Sequence, residues 1–129
     1  MIDKFLDIPY LKDGRSFSGV DCYGLCWLFG KYNNVNYPIV IGEDIYSVKN
    51  IEGLILQKKK LFRRIQNGME KKYDLILFRV KGHLTHVGVV CSPDMFLHIF
   101  EGGSGLSECL SYKGNLWEKR IDSFWRYTD

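Results

Sequence analysis

No stretch of this 129-residue chain approaches the roughly 20 consecutive apolar residues of a membrane helix, so no membrane span is expected. The opening Met1-Ile2-Asp3-Lys4-Phe5-Leu6-Asp7 lacks the basic and apolar regions of an export signal, and the expectation is a chain made in a cytoplasm. Charge of one sign is also missing. With 18 basic and 15 acidic residues the formal charge is +3, too balanced to indicate nucleic-acid binding, although a mildly basic surface suits an anionic polymer. No internal repeat, long linker or low-complexity tract interrupts the chain, and its length with 46% hydrophobic content fits one globular domain over residues 1–129. Four cysteines (Cys22, Cys26, Cys91, Cys109) could form two disulfides, but without an export signal reduced thiols are the default. The Gly-rich Glu101–Gly105 follows a strand pattern without the rest of a nucleotide fingerprint, so it reads as a turn and no cofactor is expected.

The apolar run Leu25–Phe29, continuing to Tyr32 and ending at Asn33-Asn34, reads as a nearly all-buried helix. A second helix is expected over Val48–Ile65, where Ile51, Leu54, Ile55, Leu61, Phe62 and Ile65 recur among solvated basic residues. Then the texture changes. Leu75–Val80, His86–Cys91, Met95–Phe100 and Ser123–Tyr127 are short and rich in β-formers, with Ser92-Pro93-Asp94 as a turn between the second and third. Helices followed by strands imply an α+β fold, the early helix packed on a small antiparallel sheet.

Within this frame one thiol has a special address. Cys22, in Gly19-Val20-Asp21-Cys22-Tyr23-Gly24, stands where a helix begins. Unpaired amides and the helix dipole there favour a thiolate and can lower a cysteine pKa from about 8.5 to roughly 3.5–7.5. A nucleophilic cysteine also needs an imidazole within reach, and usually a third polar group that orients it. If Ser92-Pro93-Asp94 is a three-residue hairpin loop, Cys91 opposes Met95, and His86 lies diagonal to His98 on one face. Period-2 alternation places His86, Gly88 and Val90 on that face and Val87, Val89 and Cys91 on the other, with Gly88 leaving room beside His86. If the His86 face packs against the helix start, Cys22, His86 and His98 converge as nucleophile, base and orienter. Cys26 reads as core, His83 as exposed, and Cys91 and Cys109 carry no functional signal.

The ordered segments Asp21-Cys22-Tyr23-Gly24-Leu25, Asp74-Leu75-Ile76-Leu77-Phe78, Thr85-His86-Val87-Gly88-Val89-Val90 and Phe96-Leu97-His98 resemble the motifs of NlpC/P60 cysteine peptidases, across roughly Pro9 to Tyr127. The resemblance implies a papain-like fold, catalytic roles for Cys22, His86 and His98, and no metal or cofactor. Ile8-Pro9-Tyr10 resembles the family's Pro-Tyr segment, which implies that Tyr10 lies beside the active site. Asp21 matches an acidic residue that can bind a substrate amine. Tyr23 stands where serine is most common and where relatives contact substrate, which implies a reshaped pocket; Lys12-Asp13-Gly14 replaces the usual Trp-Gly-Gly. The implied substrate is a peptidoglycan stem peptide, cut on the γ-linked side of D-glutamate. Gly14-Arg15-Ser16 and the ending Trp117–Ile121 through Trp125–Tyr127 look most like the phage-tail branch. That implies an enzyme made in the bacterial cytoplasm, delivered to the cell wall with other tail proteins, and trimming peptidoglycan for genome entry.

Three other readings use the same residues. Cys22, Cys26 and two of the three histidines could ligate zinc. The altered Tyr23 and Trp-Gly-Gly positions suit a noncatalytic tail-tip or binding protein that keeps the fold. An amidase, deamidase or acyltransferase would share the thioester chemistry.

Overall fold

The computed structural model describes residues 2–38 and 62–128. After a 3-10 turn (Asp3–Phe5) come a two-stranded ribbon, β1 (Arg15–Ser16) and β2 (Gly19–Val20), and helix α1 (Cys22–Lys31). The main sheet comprises β3 (Phe62–Ile65), β4 (Leu75–Val80), β5 (His83–Ser92), β6 (Met95–His98), β7 (Glu108–Ser111) and β8 (Ile121–Tyr127), with a short helix α2 (Leu116–Arg120) before the last strand. Its strand order is β3-β8-β4-β5-β6-β7, antiparallel throughout. The α+β expectation holds. No described helix is long and apolar enough to cross a membrane.

Helix α1 starts where the sequence says it should because Asp21 caps it: the carboxylate accepts from the Gly24 N–H at 2.7 Å. Such a cap contributes about 1 kcal/mol. The first turn lies flush against the preceding loop, since a Cβ on Gly24 would sit 2.1 Å from the Gly14 carbonyl oxygen. Eight of the ten helical residues are buried, and the Asn33 side chain donates to the Phe29 carbonyl as the helix ends.

The helix body packs with Leu75, Leu77, Val87, Val89, Leu97 and Ile99 in one core cluster. A second cluster gathers Ile76, Phe78, Val90, Phe96, Tyr112 and Phe124 from the alternate positions. The sheet is therefore buried on both faces, and Leu75 to Phe78 are all buried in succession. A partly buried ion pair ties β8 to the start of β4: Arg126 grips both oxygens of Asp74 at 2.8–2.9 Å.

Three expectations change. Val48–Leu61 of the second expected helix lies outside the described residues, but Phe62–Ile65 at its end is strand β3, paired with Tyr127 to Phe124 of β8. The β5–β6 turn is a two-residue loop, Pro93-Asp94, with Asp94 at φ 62° and Ser92 opposite Met95. Cys91 is the extra residue of a bulge, which restores Val90↔Phe96 and Val89↔Leu97, the register that a three-residue loop would have set. The space beside Gly88 is also filled: a Cβ there would meet the rings of Phe96 and Phe78 at 3.1 and 3.3 Å.

Candidate active site

Cys22 is the first residue of α1, nearly buried, and its sulfur is hydrogen-bonded by the backbone N–H of Val87 on β5. A cleft of about 220 Å³ is lined by Cys22 and His86 together with Tyr10, Thr85, Ile99, Phe100 and Glu101. The N-terminal segment places Tyr10 there. Buried Ser107 holds it, donating from its hydroxyl to the Phe5 carbonyl and accepting from the Ile8 N–H, while the Tyr10 N–H donates to the Gly105 carbonyl.

His86 Nε2 and His98 Nδ1 are 2.8 Å apart, both rings buried, as the strand register requires. Beyond them, His98 Nε2 lies 3.0 Å from Oε2 of Glu108 on β7. Aromatic rings enclose the pair. Phe96 is 4.6 Å and Trp117 4.7 Å from His98 between centroids, while Phe78, Phe100 and Trp117 lie 5.2–5.5 Å from His86. Trp117 is carried by α2, whose start is capped by Asn115, and the Arg120 guanidinium lies over its ring at 4.6 Å.

The imidazoles thus belong to the face opposite the one α1 packs on, which corrects the expectation that the His86 face would meet the helix. Val87 and Val89 share the core cluster with the helix instead, apolar side chains against an apolar helix, and Cys22 and His86 both line the cleft.

Burial sets the protonation states. It pushes the Cys22 thiol up to about 12, and the nearby Asp21 carboxylate adds to the rise; the Val87 and Tyr23 N–H groups and Arg15 pull the other way and lose. The expected thiolate is therefore corrected: desolvation outweighs the helix start. His86 is pushed well below the usual imidazole range by burial first, then by His98 and the Arg120 charge. Burial alone takes His98 down to about 4. At neutral pH the site holds a thiol beside neutral imidazoles.

Two other candidate substrate contacts, Asp21 and Tyr23, are not among the residues that line the cleft. Asp21 is fully buried, its oxygens bonded by Arg15 Nη1 at 2.9 Å and by the N–H groups of Gly24 and Asp13. Tyr23 is 1% exposed and donates its hydroxyl to the Pro38 carbonyl at 2.6 Å, outside the cleft lining. The zinc set is not assembled: the Cys26 sulfur donates to the Cys22 carbonyl within the helix, His83 is exposed at the start of β5, and no metal-holding cluster of three His, Cys, Asp or Glu occurs among the described residues. Cys91 faces the α1 side and lies 3.2 Å from Cys109, sulfur to sulfur. Glu108, Trp117 and Glu101 were missed as site residues. Their only sequence signal was position near His98 and the final strand.

A sequence profile described as the NlpC/P60 family matches residues 7–126. Among solved structures, the NLP/P60-family lipoprotein-like protein of Staphylococcus aureus superposes with a TM-score of 0.67 at 17% identity, covering 99% of this chain and 40% of that one. The NlpC/p60 domain of the peptidoglycan hydrolase SagA gives 0.59 at 21% identity, covering 95% and 89%. The P60 domain of a Mycobacterium avium subspecies paratuberculosis antigen gives 0.61 at 18%, covering 98% and 90%. No curated protein sequence matches the chain.

Proposed function

We propose that this chain, which belongs to the NlpC/P60 family, is a cysteine endopeptidase that cuts peptidoglycan stem peptides using Cys22, His86 and His98. The observation that carries the reading is one cleft lined by both Cys22 and His86, with His86 backed by His98 at 2.8 Å. Because His98 occupies His86 Nε2, Nδ1 is the nitrogen left to exchange a proton with the thiol.

The resting pair is neutral, so proton transfer accompanies attack. The Cys22 sulfur attacks the amide carbonyl as its proton passes to His86; the imidazolium returns that proton to the leaving amine, and water then cleaves the thioester. The Cys22 backbone N–H, at the helix start, is the donor for the oxyanion. Substrate contact is assigned to Tyr10 and Glu101, a reading supported by their position on the cleft walls. The finer assignment, cleavage on the γ-linked side of D-glutamate by a phage-tail component acting at the wall, rests on the sequence resemblance. Two of the residues behind it also have structural work here, Arg15 against Asp21 and Trp117 over the histidines.

The test is mass spectrometry of muropeptides after incubation with wild type and Cys22→Ala. Wild type should release stem-peptide fragments, with the variant slower by about 10⁴- to 10⁶-fold. Equal lack of cleavage would point to a noncatalytic binding protein, a free acid formed with loss of ammonia or of the glycan instead of a peptide fragment to a deamidase or amidase, and an acyl product other than the free acid to an acyltransferase.

A further inference from the structure

We infer that Glu108 is a positioning residue that fixes the tautomers of both histidines, so that His86 presents a lone pair, not an N–H, to Cys22. The inference rests on the peptidase reading for its effect on rate, and on hydrogen-bond geometry for the tautomers themselves. A carboxylate only accepts, so the 3.0 Å contact places the proton of His98 on Nε2. A neutral His98 then has an acceptor at Nδ1, and the 2.8 Å contact requires His86 Nε2 to be the donor. The remaining nitrogen of a neutral His86, Nδ1, is thereby a base. Without Glu108 nothing in the pair selects this arrangement over its mirror, in which His86 Nδ1 carries the proton and cannot accept one.

Position supports a role beyond folding. Glu108 sits on β7 opposite His98, the edge strand of the sheet, with a side chain 40% exposed. Around the imidazole pair, the other titratable or charged groups are Cys22 of α1, Arg120 of α2, Tyr10 of the N-terminal segment and Glu101 of the loop after β6. Of the two carboxylates, Glu108 is the one bonded to an imidazole. Its charge also favours the imidazolium formed when His86 takes the thiol proton.

The experiment combines histidine ¹⁵N spectra with kinetics on muropeptides. In wild type, His86 and His98 should both be neutral Nε2–H tautomers. E108Q, whose amide oxygen still accepts from His98, should keep them; E108A should lose the single tautomeric state. E108A should lower kcat by about 10- to 100-fold with little change in KM, and E108Q should recover most of that loss. In both variants the acid limb of the pH profile should move lower, because a negative charge favouring the imidazolium is gone. A wild-type His98 protonated on Nδ1 overturns the inference, as does an E108A protein with unchanged spectra. If wild type cuts no muropeptide, the peptidase reading fails while the spectra still decide the role of Glu108.

Discussion

The two faces of the sheet are built from different chemistry. Against α1 the strands present aliphatic residues, Leu75, Leu77, Val87, Val89 and Leu97; on the other side they present Phe78, Phe96 and Phe124, with His86 and His98 held among rings and under Trp117. The aliphatic face fixes where the helix, and with it Cys22, can sit. The aromatic face desolvates two imidazoles and keeps them neutral. One sheet therefore separates holding the nucleophile in place from tuning its base, and a residue's parity on β5 tells which task it serves.

Substitutions should divide along the same line. On the aliphatic face, Leu77→Ala should cost about 2–5 kcal/mol of stability, read by denaturant unfolding, with kcat of the surviving folded fraction little changed. A large kcat loss at modest destabilisation would break the separation. On the aromatic face the larger signature is pH dependence. The folded-state pKa of His98 lies below its ordinary 6.5, so below about pH 6.5 the unfolded chain binds protons that the folded chain does not, and stability falls with pH. With His98 at about 4, the loss between those values should approach about 3 kcal/mol, with His86 adding to it. Thermal melts over that range should show the decline, and His98→Asn should flatten it. A melting temperature independent of pH there would mean that the histidines are not buried as neutral groups.

What could be read from the sequence follows the strength of each local signal. Asp21 ahead of Cys22, with Gly24 in the first turn, marks a helix start whose reasons are local, and the structure starts α1 at that residue. The juxtaposition of His86 and His98 follows from strict alternation, and it survived a wrongly read turn because the bulge at Cys91 offset the shorter loop. The face that α1 covers was not legible. Leu75 to Phe78 is apolar at every position, so alternation carries no parity there, and only tertiary packing decides. Phe62 and Ile65, three residues apart, match helical spacing as well as the buried ends of a strand whose central arginines are exposed. The thiolate expectation weighed the helix start without the burial that opposes it. The partners of Asp21 were not legible either, because nothing in the local spacing shows that Arg15, Asp13 and Gly24 bond its oxygens.

The central claim is that a buried, neutral His86 serves as the base for a neutral Cys22 thiol. The pH dependence of kcat/KM on a stem-peptide fragment tests it most directly, since that ratio reports the free enzyme's essential groups. The account predicts activity flat through neutrality, with an acid limb well below 6.5 after correction for the substrate's own titration. An acid limb at or above 6.5, as a solvated imidazole gives, would contradict it.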